Sequence, residues 1–264
     1  MPGTEHLTFE RRGATAIVTM NRPEAKNALS LAMLVGMADA WDEIDSNDEI
    51  RCAILTGAGG TFCSGMDLKA MSGPDADKYQ PRMAENPDLH WKALLRHYQL
   101  RKPLIAALEG WAVAGGTEIL QATDIRVAGE STKLGVFEVR RGLFPLGGST
   151  VRLRRQIPYT VAMEILLTGR EVTAQEALRI GLIGRVVPDG TALDEAIGIA
   201  QSICENAPLS VEAIKRSVRE TEGLTEEDAL KIELEIGYPI FATEDAAEGQ
   251  KAFKEKRTPN YQRR

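Results

Sequence analysis

The chain has 264 residues, 43% hydrophobic and 27% charged, with a formal net charge of −6. This gives enough apolar material for a substantial core and enough length for one large domain, since domains commonly run to ~100–200 residues. The mixed, mildly acidic surface argues against a dedicated nucleic-acid binder, which carries a basic excess.

In chain order, MPGTEHLTFERRG at the start is charged and lacks the apolar stretch of a secretory signal. Residues 14–20 (ATAIVTM) and 50–57 (IRCAILTG) predict strands. Between them Leu34, Met37, Ala38, Trp41 and Ile44 fall three and four apart, the stripe of an amphipathic helix. Residues 71–88 (MSGPDADKYQPRMAENPD) are polar and punctuated by Pro and Gly, which predicts a mobile loop near the site. Further strands are expected at 103–110, 124–129 and 184–188, and strands alternating with helices indicate an α/β fold. VRLRRQ at 151–156 fits a helix with one solvated face. After about residue 189 the strands stop and four segments of helical period follow, so the chain reads as a core over 1–189 and a helical C-terminal region over 190–264. Such a tail must pack its apolar faces on the core or on another subunit. A shape recurs as well: RCAILTGAGGTFCSGMDL, KPLIAALEGWAVAGGTEIL and KLGVFEVRRGLFPLGGSTVRL each run from an extended segment through glycines into a helix.

Several chemistries lack their signatures. Cys52, Cys63 and Cys204 have no paired spacing, which fits a reducing compartment without disulfides. No apolar run approaches the ~18 residues of a membrane span. The expected setting is the cytoplasm. His6, His90 and His97 have no metal-ligand spacing, and His90 with His97 would share one helix face. There is no G-x-S-x-G elbow and no P-loop lysine, and LTGAGG falls short of G-x-G-x-x-G. Cys63 has no histidine placed to activate it and reads as a buried small residue.

Glycines and carboxylates remain. The CSGMD turn (63–67) and the AGGTE turn (114–118) can each present bare backbone amides, unpaired at a helix start. Brought together, they would stabilise a developing oxyanion. Glu118 stands just beyond the second turn, and Glu138 opens EVRRGLFPLGG before another. A glutamate in a first turn also serves merely to offset the helix dipole, and a carboxylate pair also fits glycoside hydrolysis. The local residues leave these alternatives open.

The order of five phrases is more specific: VTMNRPEAKNALS (18–30), ILTGAGGTFCSGMDL (54–68), KPLIAALEGWAVAGGTEILQATDIRVA (102–128), LLTGREVTAQEALRIGLIGRVVP (166–188) and AFKEKRTPNY (252–261). Over nearly its whole length the chain resembles the crotonase superfamily, and within it the enoyl-CoA hydratases. The resemblance implies a spiral of ββα units with a helical C-terminal region that drives trimers or dimers of trimers. It implies an acyl-CoA thioester as substrate and no cofactor beyond that CoA. It further implies an oxyanion hole formed by the backbone N–H groups of Met66 and Gly115, and Glu118 and Glu138 as the catalytic carboxylates. By the same analogy Ala25, Lys26 and Ser64 border the CoA, while Phe253 and Lys256 reach the CoA of a neighbouring subunit. The pattern departs from many hydratases around Glu138: Phe137 replaces a proline, Arg140 and Arg141 replace apolar residues, and FPLGG (144–148) is one residue short. It resembles an actinobacterial-type branch, some of whose members take bulky acyl groups. The superfamily also contains isomerases, dehydratases, thioester hydrolases and RNA-binding relatives, so the scaffold alone does not fix the reaction.

Overall fold

The protein is described from a computed structural model, over residues 2–67 and 74–264. Strands β1 (Leu7–Arg12) and β2 (Thr15–Met20) form an antiparallel hairpin closed at Gly13, whose φ of +59° suits glycine. Helix α1 (Leu31–Ser46) leads to β3 (Cys52–Gly57). Then come α2 (Pro74–Glu85), α3 (Leu89–Ala93), β4 (Leu104–Leu108), β5 (Trp111–Val113), α4 (Gly115–Leu120), β6 (Ile125–Gly129) and β7 (Lys133–Gly135). The chain continues through α5 (Ser149–Gln156), α6 (Tyr159–Thr168), β8 (Val172–Thr173), α7 (Ala174–Arg179) and β9 (Arg185–Val187). Four helices end it: α8 (Ala192–Cys204), α9 (Pro208–Glu220), α10 (Glu226–Gly237) and α11 (Glu244–Glu255).

The main sheet has the order β1-β2-β3-β4-β6-β9 and is parallel from β2 onward. Its central strands are buried on both faces, which is why CAILTG and LIAAL are nearly unbroken apolar runs. Alternate residues divide between the faces. Val18, Leu55 and Ala106 join the core with α1, while Ile17, Ile54, Ile105 and Val127 pack against Ala192, Ala196 and Ala200 of α8. A second sheet, β5-β7-β8, begins just past the carboxyl end of β4. Open parallel sheets present ligand crevices at the carboxyl ends of their strands, and the glycine turns lie there.

The five strands expected from the sequence are present, as is the helix of 151–156, with Leu153 buried and Arg154 and Arg155 exposed. The short strands β5, β7 and β8 carry too little pattern to be read from single residues, and β1 is an edge strand with mostly exposed polar residues. Two expectations need correction. Residues 74–85 of the expected loop form α2, while its residues 71–73 lie outside the described ones. Tyr79 explains the helix: it is buried and donates to Glu5 at 2.5 Å, and Arg82 reaches Asp39 of α1 at 2.7 Å. His90 and His97 do not share a helix face either, since α3 ends at Ala93. The two instead flank the Trp91 ring, at 4.1 and 6.3 Å between centroids.

Helix α1 carries much of the core and starts on Ser30, whose Oγ accepts from Met33 N (3.2 Å) and meets His6 Nδ1 (2.7 Å). Replacing Ser30 by alanine is expected to cost about 1 kcal/mol and to lower Tm by roughly 2–4 °C, read by a thermal melt. An unchanged Tm would show that the cap is dispensable.

Candidate active site

The two glycine turns are zipped together by backbone. Cys63 N donates to Trp111 O (2.8 Å) and Val113 N to Cys63 O (2.9 Å), after which the strands diverge into Gly65-Met66 and Ala114-Gly115. From the other side Leu29 N donates to Gly65 O (2.8 Å) and Asp67 N to Leu29 O (3.1 Å). Asn27 fastens the preceding loop, its side chain bonding Arg22 N, Ala58 O and Thr61 O. Only glycine permits this closeness. A Cβ on Gly116 would lie 2.5 Å from Cys63 O, and one on Gly65 would lie 2.8 Å from Ala114 Cβ. Ala114 itself has φ +50° and ψ −125°, a rare conformation for a side-chain-bearing residue. That ψ orients the peptide unit whose N–H belongs to Gly115. Among the described residues, neither Met66 N–H nor Gly115 N–H donates to a protein acceptor. Two neighbouring unpaired amides can hold one oxygen between them.

Glu118 lies in the first turn of α4 and is buried at 5% exposure. Its carboxylate rests on the 147–149 turn: Ser149 N donates to Glu118 Oε1 (3.2 Å), and a Cβ on Gly147 would lie 2.6 Å from Oε2. Burial raises its pKa, while the amides of Gly147, Gly148 and Ser149 and the Ser149 hydroxyl pull it back down. Arg152 reinforces this. Its guanidinium donates to Gly147 O (3.3 Å) and Leu95 O (2.5 Å), beside the Glu118 charge.

Glu138 opens a 3-10 turn, Glu138–Arg141, and has the opposite environment. Its Oε2 is buried and without a hydrogen-bond partner among the described residues. Burial pushes its carboxyl up to about 7, the nearby Glu118 charge adds to the rise, and its own N–H and Arg141 oppose it. Two carboxyls close enough to feel each other thus have unequal surroundings: burial raises Glu118 against the hydrogen bonds of the 147–149 turn, and Glu138 is pushed up to about 7.

The structure places the departures from the hydratase pattern differently from the expectation that all sit beside Glu138. Gly147 of the 144–148 turn packs on Glu118, and Gly148 faces Arg152. Phe137 lies over Gly135, with the Arg140 guanidinium 4.7 Å above its ring. Arg141 is the departure that acts on Glu138.

Of the other expected residues, Ser64 joins Ala25 and Lys26: Ser64 N donates to Lys26 O (3.1 Å) and Ser64 Oγ to Ala25 O (3.4 Å). Phe253 and Lys256 stand apart at the end of α11, with Phe253 85% exposed. Cys63 is buried and its thiol is pushed up to about 12, as a packed residue rather than a nucleophile. Sequence reasoning missed Ser149 and Arg152. The one available signal was a serine directly after a glycine pair at a helix start.

Similarity to known proteins agrees with this geometry. The family model described as enoyl-CoA hydratase/isomerase matches residues 10–264. Enoyl-CoA hydratase EchA19 of Mycobacterium tuberculosis is 57% identical over 256 residues, covering 97% of this chain and 96% of that protein. The (E)-benzylidenesuccinyl-CoA hydratase of Thauera aromatica is 36% identical over 256 residues, covering 97% and 98%. Among solved structures, an enoyl-CoA hydratase/isomerase of Mycobacterium abscessus has a TM-score of 0.90 at 48% identity, covering 98% of this chain and 100% of that one. An enoyl-CoA hydratase of M. tuberculosis has a TM-score of 0.89 at 40% identity and covers both chains fully.

Proposed function

The chain belongs to the enoyl-CoA hydratase/isomerase family, with the crotonase-type fold, and from that premise we propose that it hydrates a trans-2-enoyl-CoA by a two-carboxylate mechanism. The observation that carries the mechanism is the unequal pair: Glu118 held by the 147–149 turn, and beside it a buried Glu138 Oε2 without a partner among the described residues.

The thioester carbonyl oxygen sits between Met66 N–H and Gly115 N–H, which polarises the α,β double bond. Glu118 takes a proton from water as the water oxygen bonds to the β carbon. The π electrons move toward the thioester, and the two amides stabilise the enolate-like charge. Glu138 then delivers its proton to the α carbon, giving 3-hydroxyacyl-CoA. The two carboxyls exchange protonation states, and solvent restores the pair.

Ala25, Lys26 and Ser64 border the CoA in this reading, and Phe253 and Lys256 reach the CoA of a neighbouring copy. The exposed apolar side chains Ile214, Val218, Leu234 and Phe253 on the C-terminal helices, with Phe241 between α10 and α11, support self-association as a homotrimer or dimer of trimers. Exposed Val139, Leu143, Phe144 and Leu146 in the 139–146 segment suit a bulky acyl group, and the T. aromatica relative is named for an aromatic one. The reading needs no cofactor beyond the substrate's CoA and no nucleic-acid or membrane partner, and its setting is the cytoplasm.

The test is loss of the conjugated enoyl-thioester absorbance, with a short-chain and an aryl-substituted trans-2-enoyl-CoA, as a function of pH. Glu138 works as an acid, so turnover is expected to fall as pH rises through about 7, by about tenfold per pH unit well above it. On the acid side it falls as Glu118 protonates. A flat profile from pH 6 to 9 would remove Glu138 from the proton-donor role.

A further inference from the structure

Gln121 is 2% exposed at the C-cap of α4, and its side chain is committed to one task. Its Nε2 donates to Thr117 O (3.1 Å) and to Ser149 Oγ (2.8 Å). Its Oε1 is buried and has no partner among the described residues. A leucine of similar size would avoid that unpaired oxygen, so the amide is retained at a cost to stability. What it gains is control of one hydroxyl. Ser149 Oγ accepts from Gln121 and so has its own hydrogen free to donate. Ser149 is fully buried at the first position of α5, and its N–H already meets Glu118 Oε1 at 3.2 Å.

We propose that Gln121 and Ser149 form a positioning pair for Glu118, in which Gln121 Nε2 occupies Ser149 Oγ and thereby aims the Ser149 hydroxyl hydrogen at the Glu118 carboxylate. Resting on the two-carboxylate reading above, this names residues that set how the base is held. The Ser149 hydroxyl acts with the amides of residues 147–149 to oppose the upward pull of burial on Glu118. The charged groups facing Glu118 are Arg152 from α5 and Glu138 from the 138–141 turn, and neither changes in the variants below. Without the oriented hydroxyl, Glu118 turns within its pocket and binds its proton more tightly, so it accepts the proton of water over a narrower pH range. In this arrangement Ser149 and Gln121 act on the substrate only through Glu118.

Two readouts test the pair on the full-length protein. The first is an infrared titration of the Glu118 carboxyl, assigned by its disappearance in Glu118→Gln. The second is the kcat–pH profile with an enoyl-CoA. Ser149→Ala is expected to raise the Glu118 titration by about 0.5–1 pH unit and to lower kcat about tenfold with KM little changed. Gln121→Leu is expected to do the same more weakly. The double variant should match Ser149→Ala alone, because Gln121 acts only through that hydroxyl. Additive effects, or a Glu118 titration unmoved in both single variants, would overturn the pair. Absence of hydration by the wild type would count against the two-carboxylate reading, while the infrared titration would still decide whether the pair holds Glu118.

Discussion

Glu138→Gln is expected to lower kcat for enoyl-CoA hydration by about 10²–10⁴-fold while KM changes little, because an amide keeps the shape of the protonated acid but cannot release a proton to carbon. Stability supplies a second signature. Among the described residues Glu138 Oε2 has no partner to lose, and burial already favours its neutral form. The neutral variant should therefore match or exceed the wild type in Tm at pH 8, where the native carboxylate is ionised in a buried place. Glu118→Gln should cost comparable turnover but behave differently in the fold. Its carboxylate accepts from the 147–149 turn, and an amide presents hydrogens to donors on one side. It should lose Tm as well as rate. Because the two acids work on one reaction, the double variant should fall little below the worse single. Near-native turnover in either single variant would refute the paired mechanism. A Tm ranking with Glu138→Gln below Glu118→Gln would contradict the split environments.

How much of this was legible in the sequence depends on where each interaction is written. The central strands and the four C-terminal helices could be read directly, because burial on both faces produces unbroken apolar runs and helical packing produces its own period. The two glutamates and glycine turns were visible as types, and their grouping came from the resemblance of five ordered phrases. The clamp on Glu118 was not legible. It joins α4 to a turn some 30 residues later through Ser149 N–H, and no local pattern marks such a pair. Helix α2 failed for a related reason. Its polar, Pro-bearing residues lack helical signal, and what fixes it is Tyr79 on Glu5 and Arg82 on Asp39, contacts with distant chain. The departures FPLGG and Arg141 were noticed as a cluster near Glu138, yet in space they divide, one cradling Glu118 and the other facing Glu138.

Gly65→Ala is expected to damage the site through a single added methyl. Gly65 has φ +92°, where an L-residue is strained, and the added Cβ would lie 2.8 Å from Ala114 Cβ, 3.3 Å from Val113 O and 3.4 Å from Gly115 N. None of these can yield freely. Ala114 is already held at positive φ, and Val113 belongs to β5. The relief available is to part the two turns, which moves Met66 N–H away from Gly115 N–H and leaves each amide a solitary donor. Loss of one oxyanion donor costs about 10²–10³ in kcat, and a loss of that size is expected here. Backbone strain alone must be separated from the damage to the site. Gly13→Ala supplies that control, since Gly13 has φ +59° in the β1–β2 turn and a Cβ there meets nothing within 4 Å. Both variants should lose Tm, but only Gly65→Ala should lose turnover. If Gly65→Ala folds and hydrates within about tenfold of the wild type, the two amides do not act as one hole, and the enolate charge must be carried by other groups.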